Sequence, residues 1–165
     1  MLKKQTLIFI FAFALAALNL NCTQATSLDQ GTAPDFSLLS LENEEVTLSQ
    51  FRGKEAVMLV FGATWCPYCV EEIPELKEIY NNYKDKGLRI LYIDIQESRE
   101  KVESFAKSRS IPYTVLLDAS GEVANAYGVR GIPHQAVINK DGTIYYQGPR
   151  PYEGLKALIS KLMGE

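Results

Sequence analysis

The seven residues Ala56–Gly62, AVMLVFG, contain no charged or polar side chain. A continuous apolar run of that length is the pattern of a strand covered on both faces of its sheet. Such a strand needs elements packed above and below it, so the run commits the chain to an α/β architecture. LRILYIDI (Leu88–Ile95) is a second buried strand and YTVLLD (113–118) a third. Helical patterns alternate with them. One begins just after Cys66 and runs through IPELKEIYNNYKDKG to Gly87, a natural helix stop; another follows Ser98, a plausible N-cap; a short one covers 122–127. QAVINKDGTIYYQG then reads as two strands joined by Asp141-Gly142, a strong hairpin signal, and 152–163 as a closing amphipathic helix. Ahead of the first buried strand, DFSLLSLENEEVTLSQF alternates on both sides of Glu42-Asn43-Glu44, which predicts a small N-terminal hairpin. The sum is one mixed central sheet flanked by helices, parallel where strands alternate with helices and antiparallel at the last hairpin.

At 165 residues and 47% hydrophobic content, the chain has material for a single sizeable core. The net charge of −3, with no basic run beyond Lys3-Lys4, gives no footprint for nucleic acid. The N-terminus has the layout of an export signal, with Lys3 and Lys4 ahead of an apolar stretch over 7–18 that is short for a membrane span. Residues 1–21 are therefore read as a signal peptide, 22–32 as a polar, flexible tether and 33–165 as the folded domain. Cys22 follows the apolar stretch where a lipobox cysteine would be lipidated, although Asn19, Leu20 and Asn21 fit that motif imperfectly. Ordinary cleavage after Ala25 is the alternative. With Lys3 and Lys4 removed, fifteen basic residues face twenty acidic ones, a balance of −5.

The chemistry concentrates in WCPYCVEEIP, residues 65–74. A structural zinc site wants four ligands, and this chain offers one cysteine pair, a single histidine (His134) and Cys22 in the leader. A purely structural disulfide across two residues would constrain the unfolded chain little. Redox chemistry is the better reading, because Cys66 falls where a buried strand meets a helix N-terminus, whose free N–H groups and dipole favour a thiolate. Cys66 is then the exposed nucleophile and Cys69, one turn on, the more buried residue that resolves a mixed disulfide. Glu72 lies one helical turn beyond Cys69, on the stripe of Ile73, Leu76, Ile79, Tyr80 and Tyr83. It either handles the proton of Cys69 or sits at the stripe's edge facing water, like Glu71, Glu75 and Glu78. Pro74 removes a helical hydrogen bond to Val70 and predicts a kink.

From Ala33 to Met163 the chain resembles the thioredoxin superfamily, and within it the exported TlpA/ResA-like branch, related to the AhpC/TSA and redoxin domains. The resemblance rests on APDFSL at the entry, FGATWCPYC after a buried strand, Pro74 five residues past the second cysteine, and YGVRGIP before QAVINKDG. It implies a thioredoxin fold with a strand-helix insertion, since Pro133 lies 67 positions after Cys66. It also implies a redox-active Cys66–Cys69 disulfide and a cis Ile132-Pro133 bond facing it. Ile132 would pair with substrate backbone, and Pro133 would shape the groove and keep metal ions from the sulfurs. Trp65, Pro67 and Tyr68 would complete the docking surface. Glu72 matches a glutamate that this branch carries three positions after its second cysteine, which favours the proton-handling role. Val60 stands where plain thioredoxins place a buried Asp, so Glu72 is expected to take over its part. His134, where thioredoxins often have Thr, is read as a packed or solvent-facing residue, with modulation of the cysteine pair as the alternative.

The function implied is an exported thiol–disulfide oxidoreductase of the bacterial periplasm or cell envelope, without organic cofactor or metal. It would reduce disulfides in protein substrates, including cysteines destined for cytochrome c haem attachment, and draw electrons from a membrane thiol carrier. A lipid on Cys22 would attach it to the membrane. Two rivals share the fold. A peroxiredoxin needs a Pro-x-x-x-Thr/Ser-x-x-Cys frame, which is missing because Ala63 precedes Cys66 by three, and Cys66 itself precedes Cys69 by three. A Sco-like copper module uses a wider cysteine spacing than Cys66-Pro67-Tyr68-Cys69.

Overall fold

The protein is described here by a computed structural model covering residues 31–165; the signal 1–21, Cys22 and the tether up to residue 30 lie outside the described residues. The strands are β1 (Ser37–Ser40), β2 (Glu45–Thr47), β3 (Ala56–Gly62), β4 (Leu88–Ile95), β5 (Thr114–Asp118), β6 (His134–Ile138) and β7 (Ile144–Pro149). They form one seven-stranded sheet in the order β2-β1-β5-β4-β3-β6-β7. The helices are α1 (Pro67–Tyr83), α2 (Arg99–Ser108), α3 (Glu122–Ala126) and α4 (Leu155–Met163). β3, β4 and β5 run parallel, and β1, β2, β6 and β7 are paired antiparallel. This is the thioredoxin fold, with β4, α2, β5 and α3 lying between the CxxC helix and Pro133.

The apolar run Ala56–Gly62 behaves as its composition requires. Every residue of β3 is buried, and its side chains divide by parity. Ala56, Met58 and Val60 join the core under α1 and α4, with Leu76, Ile79, Leu155 and Ile159. Val57, Leu59 and Phe61 join the opposite core, with Phe36, Val123 and Tyr127. Gly62, the last residue of β3, has a steric reason to be glycine: a Cβ there would lie 2.1 Å from the buried Tyr92 hydroxyl. Among the described residues no helix is long and apolar enough to cross a membrane.

The expected N-terminal hairpin is formed by β1 and β2, and β1 also pairs antiparallel with β5, which joins the hairpin to the main sheet. Two local expectations are corrected. α1 ends at Tyr83 rather than running to Gly87, because the chain tightens into a turn in which the Lys86 N–H bonds the Tyr83 carbonyl, before Gly87 at φ 91°. α4 starts at Leu155 rather than 152, because Gly154, at φ 88° and ψ 159°, is far from helical geometry and leaves Tyr152 in an exposed turn. Ser98 does sit at the N-cap of α2, but its side chain makes no capping bond to the backbone. Pairing with the sheet begins two residues ahead of the expected domain start: Thr32 bridges Thr143, and Gly31 accepts a hydrogen bond from the Ile144 N–H at 3.0 Å.

Candidate active site

Cys66 is the N-cap of α1, in extended geometry, with Pro67 in the first helical position, where its missing N–H and fixed φ cost nothing. Its sulfur is bonded to that of Cys69, with the two Cα atoms 5.3 Å apart, and it also accepts the Cys69 backbone N–H at 3.2 Å. In the dithiol form this amide and the helix N-terminus favour negative charge on Cys66 over Cys69. The expected exposure of Cys66 is corrected: the residue is 3% exposed and Cys69 2%. In the disulfide the Cys66 sulfur is turned inward to Cys69 and lies 3.8 Å from the Ile132 carbonyl oxygen. What faces water beside it is aromatic, with Trp65 66% and Tyr68 68% exposed.

The Ile132-Pro133 peptide is cis. Two depressions flank it. The larger, of about 830 Å³, is lined by Tyr68, Glu72, Pro133, His134, Arg130 and Arg150. The smaller, of about 440 Å³, runs past Trp65, Ala63, Ile95, Gln96 and Val129. Ile132 lines both and forms the ridge between them. Trp65, Tyr68, Ile132 and Pro133 are thus gathered around the disulfide, while Pro67 is exposed on the first turn of α1. His134 is a packed residue, its ring edge-on to Phe61 at 6.2 Å, and burial pulls its pKa below the usual histidine range.

Glu72 does not face water. It is 3% exposed, and one carboxylate oxygen accepts the Gln135 side-chain amide at 2.9 Å. The other lies 3.5 Å from the Arg150 guanidinium. Burial pushes the Glu72 carboxyl above the usual glutamate range, against the opposing pull of Arg150 and of Gln135. Pro74 sits inside α1 on its exposed side. Val60, where plain thioredoxins place an acid, is flanked across the sheet by Tyr92 and Gln135, so the polar group beneath α1 comes from the neighbouring strand.

Sequence reasoning missed several participants. Gln135 is fully buried, an amide in β6 between His134 and the apolar AVI, and that interruption was a readable signal. Asp94 is 1% exposed on β4, opposite Gly62, with neither carboxylate oxygen hydrogen-bonded. Its acid in LYIDI was equally visible. Glu97 holds the loop that leads into Cys66: it accepts the Thr64 backbone N–H at 2.5 Å and the Thr64 hydroxyl at 2.9 Å, and pairs with Lys101. Burial opposes its ionisation, but Lys101 and the two Thr64 bonds hold its pKa below the usual range. Glu97 and Arg150 carried no local signal.

Fold and site together define a thiol–disulfide oxidoreductase of the thioredoxin class. The model of the AhpC/TSA family matches residues 30–147. The thiol-disulfide oxidoreductase ResA of Geobacillus thermodenitrificans is 37% identical over 153 residues, covering 87% of each chain. That of Bacillus thuringiensis is 35% identical over 132 residues, 79% of this chain and 76% of its own. Among solved structures, a thiol-disulfide oxidoreductase from Bacteroides fragilis superposes with a TM-score of 0.72 at 28% identity, covering 80% of this chain and 99% of that one. The chain belongs to the AhpC/TSA family, among the ResA-like thiol–disulfide oxidoreductases.

Proposed function

We propose that this enzyme is exported and reduces disulfides in protein substrates. In the dithiol form, the Cys66 thiolate attacks one sulfur of the substrate disulfide; the Cys66–substrate bond forms as the substrate S–S bond breaks, and the first substrate thiolate leaves. Cys69 passes its proton to Glu72 and attacks the Cys66 sulfur, so that the mixed disulfide breaks and the second substrate thiolate leaves. The enzyme ends as the Cys66–Cys69 disulfide. A membrane thiol carrier returns the two electrons by the reverse exchange, Glu72 gives its proton back to Cys69, and the released substrate thiolates take theirs from water. The observation that carries this reading is the cysteine pair at the N-terminus of α1, set against the Ile132 carbonyl between two clefts. Substrate chain laid along that ridge pairs with Ile132 and brings its sulfur to Cys66, while Trp65 and Tyr68 supply apolar contact. The relatives are thiol-disulfide oxidoreductases by name, and it is the resemblance to the TlpA/ResA-like branch that points to reduction, with cysteines awaiting haem attachment as the substrate class. Export follows from the leader, and a lipid on Cys22 would hold the enzyme at the envelope membrane; the mass of the mature N-terminal peptide distinguishes this from cleavage after Ala25.

Trapping tests the mechanism. With Cys69→Ala the mixed disulfide at Cys66 cannot resolve, and protein substrates accumulate covalently, to be identified by mass spectrometry. A variant that alkylates readily at Cys66 yet captures no protein overturns the assignment. The direction of electron flow is read from the reduction potential. A value near about −270 mV, that of thioredoxin, fits a reductant, and one near about −120 mV fits an oxidant instead.

A further inference from the structure

Arg150 follows β7 in the turn toward α4 and stands at the mouth of the larger cleft. One arm of its guanidinium lies 3.5 Å from the Glu72 carboxylate, and the other lies 2.5 Å from the carboxylate of Glu75. Glu72 and Glu75 are three positions apart on α1, one helical turn, so the guanidinium reaches both, the contact with Glu72 being an ion pair without a hydrogen bond. The clamp is itself anchored: the second Glu75 oxygen accepts the backbone N–H of Lys156, in the first turn of α4, at 3.3 Å. Solvent exposure is graded across it, from 45% for the Arg150 side chain through 17% for Glu75 to 4% for Glu72.

The other groups around Glu72 cannot neutralise it. Gln135 on β6 is an uncharged donor. Tyr92 on β4 and Tyr113 before β5 are buried phenols held above their usual pKa. Glu71 and Glu75 on α1 carry the same sign as Glu72. His134 and Arg130 line the same cleft; burial lowers the pKa of the first, and the second makes no ion pair with Glu72. Among the described residues Arg150 is the cation in contact with Glu72.

We infer that Arg150 is a positioning residue for the proton step: by pairing with Glu72 across the cleft mouth, it keeps that carboxylate ionised and ready to accept the Cys69 proton. The inference rests on the reading of Glu72 as that acceptor. Without the guanidinium, a carboxylate in so dry a place reverts to the neutral acid at higher pH and cannot serve as a base there.

The measurement is the pH dependence of mixed-disulfide resolution, followed by release of 2-nitro-5-thiobenzoate from Cys66 after the reduced full-length enzyme meets its symmetrical disulfide. The rate rises with pH along a limb set by Glu72. Arg150→Met moves that limb up by about one pH unit or more, and Arg150→Lys brings it back toward the wild-type position. Arg150→Gln, which retains a hydrogen-bonding group for Glu75, shifts the limb like Arg150→Met and provides the test should that variant not fold. In a Glu72→Gln background the limb is absent and Arg150→Met adds no shift. If Glu72→Gln leaves the limb in place, the reading of Glu72 falls. If Glu72→Gln removes it while neither neutral Arg150 variant moves it, or Arg150→Lys fails to restore it, the role of Arg150 falls alone.

Discussion

Burial of Asp94 ties the stability of the fold to pH. Its pKa is pushed up to about 8, first by loss of water and then by the Glu97 carboxylate beside it. The folded state therefore binds the proton more tightly than the unfolded chain, whose aspartate ionises near the ordinary 3.8. Below that value both states are protonated and the contribution is intact. As pH rises toward 8 the unfolded chain ionises first, and the contribution is lost at up to about 1.4 kcal/mol per pH unit. Denaturant titration of the oxidised protein is expected to show this decline, and Asp94→Asn to flatten it; an equal slope in both proteins would count against a neutral Asp94. At this scale, legibility followed residue type. An acid or amide interrupting an apolar strand could be noticed, as Asp94 and Gln135 show. Arg150 could not, because its partners are seventy-odd positions away and nothing in PRPYEG announces them.

At the scale of elements, α1 is held by its buried stripe rather than by intrinsic propensity, with Pro74 within its span. α4 provides much of the packing, burying Leu155, Leu158 and Ile159 in the same core as Leu76 and Ile79. Ile159→Ala is expected to cost about 2–5 kcal/mol, measured by reversible unfolding. The same variant also loosens the seat of Glu75 and Lys156, so resolution should slow more than attack by Cys66. The strands and the start of α1 were legible because burial imposes periods of two and 3.6, which local sequence must carry. The pairing of β1 with β5 was not, since contact between distant strands leaves no local trace. The late start of α4 was hidden in the backbone angles of one glycine.

For the whole molecule, the alternation of strands and helices made the layers of the fold readable, and the placement of a cysteine pair at a strand-to-helix junction made the chemistry readable. The pole at which the described chain enters the fold was not. β3 runs toward the disulfide, and β6 runs back antiparallel beside it, from His134 opposite Phe61 to Ile138 opposite Val57. The Asp141-Gly142 turn therefore lies at the far end of β3, separated from the active-site end by about 20 Å of strand. Gly31 and Thr32 are fastened next to that turn, through Ile144 and Thr143. Replacing residues 1–30 by an unrelated soluble domain is expected to leave the rate of protein-disulfide reduction unchanged, and a marked fall would show that the leader reaches the site. Whatever is joined ahead of Gly31 therefore enters at the pole opposite the disulfide. If the proposed carrier and a substrate both react at Cys66, they share one open pole and must take turns there.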